Sequence, residues 1–259
     1  MAGPTESRQA NCSLPGLSGP ALSSEPSADE ATSVSGRICQ IFRPITQNPE
    51  PKTQSSWLCT DLPRIIHRVS RLVLASASPR RAELLSAAGF VFDVVPAAID
   101  ETLRAGESAA DHVTRLAAEK ARTVDTADSR PVLGADTEVV IDGRELGKPR
   151  DREDAARMLR LLSGRTHQVL TGVAICLGER LVTECVISTV TVAPLSASEI
   201  EWYVATGEPL DKAGAYAVQG RASRFIARIE GSYSNVVGLP IETVYRLLKR
   251  LGLDCWGSP

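Results

Sequence analysis

The sequence lacks a long apolar run, and no stretch approaches the roughly 20 residues that a membrane-spanning helix needs. It also lacks an excess of charge of either sign, since 29 Lys and Arg stand against 31 Asp and Glu. A near-neutral balance gives no support for general binding to nucleic acid or to an anionic membrane surface. The sequence therefore predicts neither nucleic acid nor a membrane as a partner.

Paired cysteine spacing is absent as well. No two cysteines form a C-x-x-C pair, and three of the six fall in the first 68 residues. The cysteines are Cys12, Cys39, Cys59, Cys176, Cys185 and Cys255. Scattered cysteines of this kind predict neither a disulfide framework nor a zinc site, and they favour a reducing, cytoplasmic location.

The first 68 residues differ in composition from the rest of the chain. They are rich in Ser, Pro and Gly, show no sustained hydrophobic periodicity, and have neither a basic start nor an apolar core of a secretory signal. Residues 1–68 are predicted to be a disordered extension, followed by one domain over residues 69–254. A start of translation at Val69 is a second explanation of the extension, because Met1 and Met158 are the only methionines.

A strand, a tight turn and a helix are predicted around residues 72–88. The apolar residues 72–75 precede Ser76, and Pro79 occupies a favourable first helical position before Arg80 and Arg81. Free backbone N–H groups, the helix dipole and two guanidiniums suit a phosphate group. The alternative is an ordinary capped helix with two solvated arginines. An arginine clamp on DNA is disfavoured, because no further basic run supports it.

A second helix is predicted from Ser108 to Asp125, after a turn that carries Asp100 and Glu101. Lys120 lies on the same stripe of this helix as Val113. Periodicity alone slightly favours a lysine whose aliphatic part lies along apolar surface while its charge reaches water. The functional alternative is a lysine that points into a pocket.

The next strand is predicted over Val132–Ile141, interrupted at residues 134–137. An aspartate within an apolar strand is costly unless it is paired or binds a metal, so Asp136 indicates function more than a capped turn. Lys148 follows a glycine and precedes a proline at a helix start. It is interpreted either as a plain loop lysine or as a fixed phosphate contact.

The remaining elements complete an α/β pattern with a mixed sheet. Two long strands, residues 165–177 and 181–192, are predicted to form an antiparallel pair in which His167 is interpreted as structural. Residues 207–220 have too little periodicity for a helix or a strand, and they carry Lys212 and Gln219. Long loops in compact domains are usually functional or disordered, and this loop lacks the composition of disorder.

A series of short motifs carries a resemblance. They are Ser-Ala-Ser-Pro-Arg-Arg at 76–81, Asp-Glu at 100–101, Glu-Lys-Ala at 119–121, Ala-Asp-Thr at 135–137, Gly-Lys-Pro at 147–149, Arg-Thr-His at 165–167, Asp-Lys-Ala-Gly-Ala-Tyr at 211–216, Gln-Gly at 219–220 and Val-Gly-Leu-Pro at 237–240. In this order they resemble the Maf family of nucleoside triphosphate pyrophosphatases, over residues 71–252.

The resemblance implies a fold and a reaction. It implies an elongated mixed β-sheet flanked by helices, with two lobes and a central cleft, related to the inosine triphosphate pyrophosphatase architecture, and a homodimer. It also implies hydrolysis of a nucleoside triphosphate between the α and β phosphates with the help of a divalent metal, Mg²⁺ or Mn²⁺. The motif around residues 211–219 is similar to the branch that acts on dTTP and UTP. The alternatives are another or modified nucleotide, such as 7-methyl-GTP, and a nucleotide-binding regulator of cell division.

The site residues follow from the resemblance together with their chemistry. By resemblance, Asp136 is the proton acceptor, while Arg81, Thr137 and Gln219 influence substrate choice. Asp136 and Glu101 offer oxygen ligands for the metal or a base for water, and the sequence does not divide these two tasks. Lys148 completes the candidate catalytic set. The candidate substrate-binding residues are Ser76, Arg80, Arg81, Lys120, Thr137, Lys212 and Gln219.

Overall fold

The computed structural model describes residues 71–126 and 129–253. The predicted extension over residues 1–68 lies outside the described residues. Within them, no helix is both long enough and apolar enough to cross a lipid bilayer.

The described chain forms seven strands and six α-helices. In chain order they are β1 (Leu72–Leu74), α1 (Pro79–Ala87), β2 (Phe92–Val94), α2 (Ala109–Thr123), β3 (Val132–Ile141), β4 (Arg144–Leu146), α3 (Arg152–Leu162), β5 (Thr166–Leu177), β6 (Arg180–Val192), α4 (Ala197–Ala205), β7 (Ile226–Glu230), α5 (Tyr233–Val237) and α6 (Ile241–Arg250).

All seven strands belong to one sheet, in the order β2-β1-β3-β5-β6-β7, with β4 paired to β3. β1 is parallel to β2 and to β3, whereas the other pairs are antiparallel. The predicted mixed sheet flanked by helices is confirmed, and so is the hairpin of β5 and β6. A parallel pair needs a crossover connection, which α1 provides between β1 and β2.

Two large hydrophobic cores share this sheet. One lies between α1, α6, the first residues of β3 and the last half of β5, around Leu85, Val173 and Leu247. The other lies between α3, α4 and the last residues of β3, around Met158 and Tyr203. The central residues of β3, 136–138, are only partly buried, whereas both ends of the strand are buried. The long strands therefore connect two lobes, and polar residues lie between them.

The predicted interruption of β3 is wrong. β5 pairs with β3 continuously from Val132 to Val140, through Gly134 and Asp136. Gly134 serves helix packing, because a Cβ atom there would overlap the backbone of Ala117 on α2. Gly172, which is the partner of Asp136 on β5, is needed for the same reason. Close approach of α2 to the sheet, rather than a turn, explains the glycines.

Two smaller features differ from the prediction. Strand β4 was not expected; it follows the Asp142-Gly143 turn, where both residues have positive φ. The segment 207–220, predicted as irregular, contains the 3₁₀ turns Glu208–Asp211 and Ala213–Ala215. Such short turns leave no hydrophobic period that the sequence could reveal.

Candidate active site

A gap in the pairing of β3 defines the candidate site. One edge of β3 is covered by β5. The other edge pairs with β1 only at Val132 and Leu133, and with β4 only at residues 139–141. Among the strands of the described chain, none pairs with residues 134–138 on this edge. This gap, between the two cores, is named the notch, and the side chains of Asp136 and Thr137 belong to it.

Arg81 enters the notch from the first turn of α1. Its side chain is buried, and its three nitrogens donate to neutral oxygens: Nη1 to Ser76 Oγ at 2.9 Å, Nη2 to Thr137 Oγ1 at 3.1 Å and Nε to the Gly238 carbonyl at 2.9 Å. Burial lowers the pKa of Arg81 from its usual value. Because Arg81 is buried, the alternative of two solvated arginines is wrong for this residue. Pro79 occupies the start of α1, as predicted.

Thr137 is held by Thr171, which no sequence motif marked, and by Gly238 of the Val-Gly-Leu-Pro motif. Its hydroxyl lies 3.0 Å from Thr171 Oγ1 and donates to the Gly238 carbonyl at 3.2 Å. The Gly238 carbonyl therefore accepts hydrogen bonds from both Thr137 and Arg81. Gly238 ends α5 at a φ of 127°, a conformation that a side chain would strain. This geometry gives the Val-Gly-Leu-Pro motif a structural role in fixing Arg81.

Lys120, Asp136 and Glu101 form a group that we name the first cluster. Lys120 is 6% exposed, and its Nζ donates to Asp136 Oδ1 at 2.7 Å and to Glu101 Oε1 at 2.5 Å. The interpretation of Lys120 as a lysine that reaches water is therefore wrong. Its ammonium reaches the notch because α2 packs directly on Gly134. Two carboxylates predicted to act together are thus joined by one buried cation.

The charges around Glu101 extend the first cluster. Burial acts to raise the pKa of Glu101, but the hydrogen bond from Lys120 and the charges of Lys120, Lys148 and Arg81 outweigh it, so the pKa falls below its usual value. Lys148 is exposed just after β4. The structure thus places the cations Lys148 and Arg81 close enough to act on Glu101.

The remaining candidates, Arg80, Lys212 and Gln219, form no hydrogen bond or ion pair with these residues in the described chain. Burial acts to raise the pKa of Asp211. The hydrogen bond and charge of Lys212, together with the charge of Arg80, outweigh it, so the pKa falls below its usual value. Lys212 Nζ donates to the Glu208 carbonyl at 2.8 Å and to Asp211 Oδ1 at 2.5 Å. Gln219 is exposed, and its side chain has no hydrogen-bond partner among the described residues. Among the described residues, Gln219 therefore makes no hydrogen bond with a side chain of the notch.

The first cluster has a donor set that fits a hard divalent cation. Asp136 and Glu101 provide carboxylate oxygens, and Lys120 engages one oxygen of each. The second oxygen of each carboxylate remains for a metal that also binds phosphate oxygens, the arrangement that Mg²⁺ prefers.

Comparison with known proteins decides the family. The family described as "Maf-like protein" matches residues 71–251. This chain belongs to the Maf family. It is 53% identical over 195 residues to the "dTTP/UTP pyrophosphatase" of Anaeromyxobacter sp. (strain Fw109-5), across 73% of this chain and 94% of the relative. It is also 53% identical over 182 residues to the protein of the same name from Salmonella typhimurium, across 70% of this chain and 92% of the relative.

One solved structure resembles the Maf chain weakly. It is described as a HAM1 protein from Coxiella burnetii, is 14% identical, and has a TM-score of 0.40 over 70% of this chain and 99% of that chain. An alignment at that score supports no conclusion about shared chemistry.

A second group of polar side chains in this Maf chain lies beside the first, and we name it the second cluster: His112, Glu138 and Glu145. Their ligand atoms all lie within 4.8 Å of one another. Burial, followed by the charges of Glu145 and Asp136, raises the pKa of Glu138 from 4.5 to about 8. This value indicates an excess of negative charge in a buried place.

The sequence itself carries a signal for two residues of the second cluster. His112 precedes Lys120 by two steps of four residues, so both lie on the stripe of α2 that faces the sheet. Glu138 follows Asp136 by two residues, and alternate residues of a strand share a face. Glu145 could not be placed, because β4 was not predicted.

Proposed function

We propose that this Maf protein hydrolyses a nucleoside triphosphate between its α and β phosphates, with dTTP and UTP preferred, to give the monophosphate and pyrophosphate. The observation that carries this proposal is the buried guanidinium of Arg81, fixed by neutral oxygens at the edge of the first cluster. The names of relatives that are 53% identical support the choice of dTTP and UTP.

Arg81 suits the binding of a phosphate group. No carboxylate of the described residues forms an ion pair with it, although burial makes its charge costly. An anion that enters the notch would relieve this cost through charge-assisted hydrogen bonds. Lys148, Arg80 and Lys212 supply further positive charge around the notch. Catalysis of phosphoryl transfer depends mostly on positioning and on stabilisation of charge, and these residues provide both.

Asp136 is proposed as the group that accepts the proton of the attacking water. Its hydrogen bond to Lys120 fixes the carboxylate within the notch. Glu101 accepts from the same ammonium. A divalent cation, held by Asp136 and Glu101, would neutralise charge on the phosphate oxygens when bound.

The base preference is proposed to depend on Gln219. Its amide offers one acceptor and two donors, which match the imide edge of uracil or thymine. A base that leaves these groups unpaired would be rejected strongly. The homodimer and the cytoplasmic location stay predictions.

The test is pyrophosphate release from a panel of nucleoside triphosphates with Mg²⁺ or Mn²⁺. We expect release to be fastest from dTTP and UTP, and Gln219→Ala to reduce this preference by roughly tenfold or more, the effect of about one lost hydrogen bond to a base. The matched control is Gln168→Ala, because Gln168 is an exposed glutamine on β5. Turnover centred on a guanine nucleotide would contradict the base preference. Nucleotide binding without release would contradict the activity and favour a regulator.

A further inference from the structure

We propose that the second cluster, His112, Glu138 and Glu145, is a binding site for a divalent transition-metal ion, separate from the first cluster. The site lies where α2 crosses the middle of β3, with Glu145 contributed by β4. None of its three side chains belongs to the proposed catalytic set.

The distances suit a shared ion. His112 Nδ1 lies 3.0 Å from Glu138 Oε1 and 3.8 Å from Glu145 Oε2. Ligand atoms that each lie about 2.1 Å from one ion are separated by about 3 to 3.5 Å. Small side-chain adjustments would therefore bring these three atoms around one cation.

The hydrogen bonding of His112 leaves one nitrogen for a ligand. Its Nε2 lies 3.2 Å from the Glu101 carbonyl, which can only accept, so Nε2 carries the proton. In the neutral ring, Nδ1 then presents a lone pair to Glu138. The His112 side chain is 5% exposed, and Nδ1 makes no hydrogen bond. Glu138 Oε2 is also buried without a hydrogen bond. A cation bound between His112 Nδ1 and Glu138 would give both electron-rich groups a partner.

The protein itself supplies no cation there. Among the ion pairs of the described chain, neither Glu138 nor Glu145 contacts a lysine or an arginine. The first cluster, by contrast, has the ammonium of Lys120. A bound ion would therefore neutralise the carboxylates of the second cluster, as Lys120 neutralises those of the first.

The donor set indicates the class of metal. One imidazole nitrogen with two carboxylates suits Zn²⁺ or Mn²⁺ better than Mg²⁺, which prefers oxygen ligands alone. A metal-bound histidine usually donates its other ring N–H to an outer acceptor, and here Nε2–H donates to a backbone carbonyl. Because the same carbonyl belongs to Glu101, a metal on His112 would also steady the residue that contacts Lys120.

The test measures metal binding by the full chain after treatment with a chelator and without nucleotide. Zn²⁺ and Mn²⁺ are titrated calorimetrically into wild type, Asp136→Asn and Glu145→Gln, with Glu201→Gln as a matched control because Glu201 is an exposed glutamate on α4. We expect one ion to bind in wild type, Asp136→Asn and Glu201→Gln. Glu145→Gln should bind it at least about tenfold more weakly.

Crystals grown with Zn²⁺ give a second readout that does not depend on the stability of a variant. An anomalous peak between His112 Nδ1 and the two carboxylates would support the site. A wild-type chain that binds no ion there, or a Glu145→Gln variant with unchanged affinity, would overturn the proposal. Loss of all binding in Asp136→Asn would also overturn it, because the ion would then belong to the first cluster.

Discussion

The first and second clusters are built alike but balance their charges differently. Each joins one residue of α2, Lys120 or His112, to one carboxylate of β3, Asp136 or Glu138, and each adds a further glutamate. Lysine satisfies both carboxylates of the first cluster through hydrogen bonds. Histidine leaves atoms of the second cluster without a partner. Similar backbone placement therefore produces one site whose carboxylates are paired with a cation and one whose carboxylates are not.

The difference shows that the neighbours of a carboxylate decide its chemistry. Beside the ammonium of Lys120, Glu101 has a lowered pKa, so this carboxylate is ionised near neutral pH. Glu138, which has no such cation, has its pKa raised to about 8. An ionised carboxylate suits the role of base in hydrolysis, whereas a carboxylate pair without a cation suits a metal.

The largest expected effect tests whether hydrolysis belongs to the first cluster. Asp136→Asn removes the proposed proton acceptor, and kcat should fall by about 10²- to 10⁴-fold, the usual contribution of a general base. The midpoint of thermal unfolding should change little, because the asparagine oxygen can still accept from Lys120. Pyrophosphate release from dTTP, followed beside circular dichroism, measures both quantities.

The matched control for this variant is Asp125→Asn, since Asp125 is an exposed aspartate beyond the end of α2. It should retain wild-type kcat. Full turnover in Asp136→Asn would contradict the assignment of the base and would place the chemistry elsewhere in the notch.

A smaller effect tests whether Lys120 balances the first cluster. Lys120→Met keeps most of the aliphatic chain but leaves Asp136 partly buried without its cation. We expect the free energy of unfolding to fall by about 3 kcal/mol, near the lower end of the cost of breaking a buried ion pair, because Glu101 remains largely solvated. Urea unfolding at pH 7 measures it.

Two further variants separate lost charge balance from lost packing. Lys120→Met combined with Asp136→Asn should recover part of the stability, because the buried negative charge is then absent. Lys249→Met, at an exposed lysine of α6, should change the free energy of unfolding by less than about 1 kcal/mol. Equal losses in the single and the double variant would contradict an electrostatic role for Lys120.

The sequence predicted much of the fold because the relevant signals are local. The strand, proline and helix around Arg81 are visible as a pattern, and so is the pairing of two long strands around a short turn. The burial of Arg81 was not predictable in the same way. It depends on the carbonyl of Gly238, which lies 157 residues further along the chain.

The glycines of β3 and β5 show why local signals also misled. Gly134 suggested a break in β3. The strand is in fact continuous, and glycine is needed there because the backbone of α2 packs directly against it. The same contact carries Lys120 into the notch, so one tertiary interaction accounts for both wrong predictions. Periodicity could show that Lys120 faces the sheet, but not that the sheet presents a carboxylate there.

The third histidine of the chain, His167, completes the comparison of the clusters. It is buried, its Nε2 lies 2.8 Å from Tyr216 Oη, and its Nδ1 has no hydrogen-bond partner. In contrast to His112, it forms no ion pair with any carboxylate of the described chain. Burial alone lowers its pKa to about 4. An unpartnered nitrogen thus indicates a metal site only where carboxylates face it, and the predicted structural role of His167 fits its contacts.

The smallest expected effect follows from this lowered pKa. Because the folded value of about 4 lies below the usual 6.5, the unfolded chain binds more protons between these two pH values. The contribution of neutral His167 to the free energy of unfolding is therefore fully present above pH 6.5, and it is lost as the pH falls toward 4. Between pH 7.5 and 5 this residue should lower the free energy of unfolding by about 2 kcal/mol. Other groups titrate in the same range, so the quantity to compare is the pH dependence of urea unfolding in wild type and in His167→Gln, whose amide does not titrate. An equal pH dependence in both would mean that His167 is protonated within the fold, and the contrast with His112 would then fail.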